Sequence, residues 1–179
     1  MASVAIPARR HPSPVTTAGE CAPATRTLDD AIAAARTTGR RVAVCVVGLQ
    51  GLAALSAGCG PATADAARAS VDAAVRGAMR RADAAVAIGR GAVLVVARDL
   101  GHPADAERVA DRLRAALSPV PGEARAPGVR VHVGLAIFPN HGDDARALLA
   151  AAEASLGRAR HAGEDEPFRW GAVVQAEVA

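Results

Sequence analysis

Val133-Gly-Leu-Ala-Ile-Phe-Pro-Asn-His-Gly-Asp-Asp144 is the stretch whose reading decides the fold. Its first half closes an apolar run, Val129 to Ile137, in which Val129, Val131, Val133 and Leu135 recur every second residue, the period of a strand. Pro139, Asn140 and Gly142 break the run. His141-Gly142-Asp143-Asp144 reads as a turn and helix N-cap. From Asp143 to Arg160, Leu148, Leu149, Ala152 and Leu156 share one helical face, and Gly163 ends the segment. A strand thus feeds through a short turn into a helix.

The same reading extends outward. Upstream, Ala84 to Ile88 and Ala92 to Ala97 are short apolar runs joined by Gly89-Arg90-Gly91, a link that predicts a tight hairpin. Pro103 to Leu117 predicts an amphipathic helix with Val109, Leu113 and Leu117 inward, and a Pro/Gly loop covers Pro119 to Gly128. Val42 to Val47 is continuously apolar, as in a strand buried on both faces. Leu49, Leu52 and Leu55 then line one side of a Gly-rich passage that suits a short helix. Thr63 to Arg81 is a longer helix with Ala67, Val71, Ala74, Val75 and Ala78 at helical spacing. Leu28 to Arg36 predicts an opening helix, with Thr27 or Asp29 near its start and Gly39 past its end; Phe168 to Val174 predicts a last strand. Helices crossing over a mostly antiparallel sheet make an α+β, two-layer domain. The expected limits are 19–172, between a flexible tail at 1–18 and a short tail at 173–179.

Composition narrows the chemistry. All 21 basic residues are arginine, so no lysine is present for a Schiff base or a P-loop. A net charge of +3 without a clustered patch gives no reason to expect nucleic acid. The longest apolar run is too short for a membrane span, and Arg9-Arg10 is followed by His11-Pro12-Ser13-Pro14 where a signal peptide needs an apolar stretch. The expectation is a cytoplasmic protein. Cys21, Cys45 and Cys59 lack Cys-x-x-Cys spacing, and His102, His132, His141 and His161 lack ligand spacing, so neither a disulfide framework nor a metal site is expected.

In order and spacing, several blocks together resemble the GGDEF family of diguanylate cyclases from about Gly19 to Trp170. Val133 to Asp144, with Ala152-Glu153-Ala154-Ser155-Leu156-Gly157-Arg158-Ala159-Arg160, looks like the family's "vGiA.yP.dG.d…lL..AD.AlY.AK..G". Arg81-Ala82-Asp83-Ala84-Ala85-Val86-Ala87-Ile88-Gly89 matches the lead-in to its signature hairpin. The resemblance implies the ferredoxin-like palm of nucleotidyl cyclases, a central, mostly antiparallel sheet flanked by helices. It also implies a broken active site. The signature Gly-Gly-Asp/Glu-Glu-Phe stands here as Gly89-Arg90-Gly91-Ala92-Val93, without the second glycine that lets the turn lie against GTP and without the acidic third residue that binds metal. The family's Asp-x-Asp-x-Phe-Lys is Gly48-Leu49-Gln50-Gly51-Leu52-Ala53, so a metal-binding aspartate has become Gly48 and a phosphate-contacting lysine Ala53. Ser56 stands at a guanine-binding asparagine position, Asp65 retains its partner aspartate, and Arg160 replaces a phosphate-binding lysine. Nucleotidyl transfer needs Mg²⁺ held by carboxylate oxygens, and losing both carboxylates implies a rate loss of roughly 10⁴-fold or more. The expectation is a non-enzyme without a resident metal or cofactor.

One functional feature of the family survives. Arg80-Arg81-Ala82-Asp83, six residues before Gly89, keeps the register of the inhibitory Arg-x-x-Asp site, which in many members binds cyclic di-GMP. A guanidinium can fork onto the O6/N7 edge of guanine while a carboxylate accepts from its N–H groups. Arg112 stands where the family often supplies a second arginine, and Arg108 precedes it by one turn, so Arg80, Asp83, Arg108 and Arg112 form a candidate ligand set. A structural role stands beside this: Asp83 can brace the helix-to-strand junction, Arg108 and Arg112 can pair with Asp105, Glu107 or Asp111, and Asp65 can solvate its helix. The two expected functions are a cyclic di-GMP receptor acting through a protein partner, and a nucleotide-independent interaction or dimerisation module. An active cyclase ranks last.

Overall fold

A computed structural model of the chain describes residues 22–89, 91–117, 129–161 and 168–170. The expected tails, the Pro119–Gly128 loop, Gly163 and the last residues of the expected final strand lie outside these residues. The elements run α1 (Ala22–Thr38), β1 (Arg41–Gln50), α2 (Leu52–Cys59), α3 (Pro61–Ala78), β2 (Ala84–Ile88), β3 (Ala92–Leu100), α4 (Ala104–Leu117), β4 (Arg130–Phe138), α5 (Ala145–His161) and β5 (Phe168–Trp170). The sheet order is β2-β3-β1-β4-β5. Every pairing is antiparallel except β4 with β5. The class is α+β, as the pattern predicts.

Packing adjusts the layer count. β1 is buried at every position from Val42 to Gly48, so both of its faces need a cover. Val42, Val44 and Val46 pack with α1 and α5 through Leu28, Ile32, Leu148 and Leu156. Ala43, Cys45 and Val47 pack with α3 and α4 through Val75, Val109 and Leu113. Helices therefore cover both faces, where two layers were expected. Each valine so buried contributes about 1.5–3 kcal/mol, which makes the double cover the larger source of stability than either helix's own propensity. β4 is likewise buried at every position from Val131 to Phe138, so its apparent alternation does not mark a wet face.

Two starts differ from the expected ones. α1 begins six residues before Leu28, because Ala24 adds to the same buried face as Leu28, Ala31 and Ile32. α3 begins at Pro61 and stops at Ala78, short of Arg81; Asp83 holds the chain in a turn there by accepting from the Arg80 N–H at 2.9 Å. Asp144 caps α5 by accepting from the Ala147 N–H at 2.7 Å, as its place before the helix predicts.

β4 has little strand cover on its outer edge beyond Val133. Side chains satisfy the edge instead. The Leu135 N–H donates to Ser155 Oγ at 3.2 Å and the Ile137 N–H to His141 Nδ1 at 2.8 Å. Alternate N–H groups on an uncovered edge need such acceptors. The motif glycine Gly134 has a steric cause: a Cβ there would run into the Ala152 carbonyl and the Leu156 N–H of α5.

Candidate functional site

The β2–β3 hairpin and the end of β1 meet at one corner of the sheet. Gly89 (φ 58°) and Gly91 (φ 104°) flank the turn in the left-handed region that favours glycine. Arg90 itself lies outside the described residues. The Leu49 N–H donates to the Gly91 carbonyl at 2.9 Å, and Gly48 pairs with Ala92 on one side and His132 on the other. Ala92, Gly48 and His132 thus form one row on the face that α5 covers. Directly opposed positions in such a row stand about 4.5–5.5 Å apart, close enough for two carboxylates to share a cation. The sequence places none at Gly48, Gly91 or Ala92. A Cβ at Gly91 would also lie 2.8 Å from Leu52 Cδ1.

What stands over Gly48 is a guanidinium. A Cβ at position 48 would lie 2.6 Å from an Arg160 terminal nitrogen and 3.1 Å from Leu156 Cδ2. Arg160 is half-buried, its Nε is buried without a hydrogen-bond partner among the described residues, and burial lowers its affinity for the proton. His132 is fully buried beside it, with Nε2 3.0 Å from Gln50 Oε1. Burial, then the Arg160 and Arg130 charges, push the His132 imidazole below its ordinary pKa. Hard divalent cations want carboxylate oxygens; this corner offers an amide, an imidazole and a cation, and does not fit Mg²⁺. Among the described residues no group of three or more His, Cys, Asp or Glu side chains could hold a metal.

Asp65 sits on α3 with an exposed side chain that pairs with Arg68 one turn on. This is the solvated-helix arrangement. Ser56 is half-buried on α2.

The second candidate site lies at the α3–β2 junction. Asp83 is almost wholly buried, its side chain 3 % exposed. One oxygen accepts from the Arg80 N–H at 2.9 Å and from Arg112 at 3.3 Å; the other accepts from the Arg98 N–H at 3.3 Å. The carboxylate thereby ties the junction to β3 and α4. Arg112 is brought to Asp83. Arg108 is not: it pairs with Asp105 at 2.8 Å, its side chain 75 % exposed. Arg80 is exposed, and its guanidinium has no partner among the described residues. Cys45 lies within electrostatic reach of the pair, its thiol pushed up to about 12 by burial and by the Asp83 carboxylate.

Sequence reasoning missed Arg98, which enters through its backbone amide and so leaves no side-chain signal. It also missed the Arg130–His132–Arg160 cluster. Arg130 and His132 share a strand face at a spacing of two, but only the packing of α5 brings Arg160 to them.

Residues 22–166 match the family model described as "Diguanylate cyclase, GGDEF domain". Similar solved structures include the GGDEF domain of YfiN (TpbB) from Pseudomonas aeruginosa, 22 % identical with a TM-score of 0.72, over 83 % of this chain and 93 % of that one. A sensory box/GGDEF family protein from Caulobacter crescentus is 27 % identical with a TM-score of 0.70, over 78 % and 91 %. The GGDEF domain of DgcB from Caulobacter crescentus, solved in complex with c-di-GMP, is 15 % identical with a TM-score of 0.68, over 80 % and 85 %. No curated protein sequence matches the chain. Among the described residues no helix is long and apolar enough to cross a membrane.

Proposed function

Since the chain belongs to the GGDEF family, we propose that it is a member that no longer makes cyclic di-GMP and instead takes it up as an effector at the α3–β2 junction, passing the bound state to a protein partner. The observation that carries the effector reading is the state of Arg80: an exposed guanidinium without a partner among the described residues, next to an Asp83–Arg112 pair already drawn together. Arg80 can fork onto a guanine edge, while Arg112 and the exposed Arg108 supply positive charge for the phosphates. Asp83, its carboxylate engaged in three hydrogen bonds, positions Arg112 and the Arg80 backbone for that contact. The loss of catalysis follows from the other corner, where Gly48 and Ala92 oppose each other without a carboxylate.

Titration calorimetry with cyclic di-GMP on the wild type and on Arg80→Ala tests the effector site. Binding to the wild type and loss of it in Arg80→Ala is the expected result; absence of heat with the wild type overturns it. Incubation with GTP and Mg²⁺ is expected to yield no cyclic di-GMP. A second reading, an interaction or dimerisation module that binds no nucleotide, is favoured by the burial of Asp83, which suits a structural brace. A wild type that binds no cyclic di-GMP yet self-associates in sedimentation would favour that reading.

A further inference from the structure

We propose that the groove between α1 and α5 is a docking site for this chain's own N-terminal stretch, with Val4-Ala5-Ile6-Pro7 lying along its apolar floor and Arg9 or Arg10 paired with Glu153. The groove encloses about 600 Å³, within the usual range of ligand sites. Leu28 of α1, Leu94 of β3 and Leu149 of α5 line it, with Ala145 at one end and Glu153 towards the other. Glu153 is the acidic group of this lining. Its Oε1 is buried with no hydrogen-bond partner among the described residues, and burial holds the carboxyl above its ordinary pKa. A carboxylate so placed gains from a cation brought to it. Arg146 lines the groove two turns earlier on the same helix, about 10 Å away along its axis and at the opposite end.

Chain direction and length fit this occupant. Arg36, near the end of α1, donates to the Asp143 carbonyl just ahead of α5 at 2.6 Å. The two helices therefore run antiparallel, and the start of α1 faces the later turns of α5. Ala24 and Thr25 line the groove, so the chain arrives at α1 beside the Glu153 end. Residues 1–18, expected as a tail, hold one apolar cluster, Val4-Ala5-Ile6-Pro7, and two arginines, Arg9 and Arg10. The arginines stand nearer to α1 in sequence than the cluster does. A stretch folded back along the groove thus brings them to Glu153 first, and the cluster runs on towards Ala145. Pro7 favours an extended backbone at Ile6. Ala145 and Glu153 are about 12 Å apart along α5, and Ile6 and Arg9 or Arg10 are about 10–14 Å apart in an extended chain. The link from Arg10 to Ala22 can span about 40 Å, more than the return needs, and a tether of that length holds the stretch at roughly millimolar local concentration. The groove shares no residue with the α3–β2 junction, so this proposal and the effector site stand or fall separately.

The chain contains no lysine, so Arg9→Lys or Arg10→Lys introduces its one side-chain amine. Treated with a water-soluble carbodiimide, the full chain of either variant is expected to form an amide between that amine and Glu153, read by peptide mapping of the monomer band. Ile6→Asp in the same background removes the apolar anchor and is expected to cut the yield of that link roughly tenfold or more. Ala150→Trp, at an exposed position on the groove wall, is expected to do the same by filling the groove. Thermal melts check the fold of each variant; should Ala150→Trp melt early, Ile6→Asp decides alone. Absence of a link to Glu153 from both positions would overturn the proposal. So would an undiminished yield in Ile6→Asp, or a link found only in a dimer band, which would seat a second copy in the groove.

Discussion

Asp83 and Cys45 show how one buried charge organises its neighbours. The carboxylate joins Arg80, Arg98 and Arg112, and its removal would leave the Arg112 guanidinium and two backbone N–H groups short of an acceptor. Asp83→Ala is expected to destabilise the protein by about 2–4 kcal/mol in urea denaturation, somewhat below a fully buried pair because solvent reaches Arg112. For that reason Arg80, whose side chain has no partner among the described residues, is the cleaner probe of ligand binding. Cys45 lies under the same pair with its thiol pushed up to about 12. Only a thiolate alkylates at useful rates. Native iodoacetamide treatment followed by peptide mapping is therefore expected to modify the exposed Cys59 and to spare Cys45 until the chain is unfolded.

Between elements, the closest approach is that of α5 to β4 at Gly134. The helix backbone lies where a Cβ would go, and backbone cannot rotate aside. Gly134→Ala is expected to cost about 1–3 kcal/mol or more, read as a lowered urea midpoint, because the helix must lift from the sheet. The edge of β4 adds a pH dependence. His141 Nδ1 accepts from the Ile137 N–H and so must be unprotonated, and burial lowers its pKa. His132 is lowered by burial and by Arg160 and Arg130. In the unfolded chain both return to the ordinary value of 6.5. The unfolded state then binds more protons as the pH falls, so stability is fully present above 6.5 and declines below it, until the lowered folded-state values are passed. Melting temperatures from pH 7.5 to 5 are expected to fall, and His132→Gln is expected to flatten part of that slope.

At the scale of the whole molecule, a sheet covered on both faces carries two corners of opposite character: a corner at the end of β1 where Arg160 lies over Gly48, and a junction braced by a buried carboxylate. Ligands that bind only the folded state raise stability by mass action, about 2.7 kcal/mol at a hundredfold excess over Kd. Cyclic di-GMP is accordingly expected to raise the melting temperature, and Mg²⁺ alone to leave it unchanged; a rise with Mg²⁺ would contradict the absence of fit at Gly48. The order of elements was legible in the sequence, because the apolar periods of Val42 to Val47, Leu148 to Leu156 and the Gly89–Gly91 link are local signals of backbone geometry. That positions 48, 91 and 92 carry no carboxylate was legible too, since it is a matter of residue identity and needs no contact. The sequence could also place Arg80, Asp83 and Arg112 in a common frame, but it left open whether they meet. Only the tertiary structure joined Asp83 to Arg112, sent Arg108 to Asp105, and set Arg160 over Gly48. Each of those outcomes depends on how helices dock across the sheet, and docking is fixed by long-range packing that no local spacing encodes.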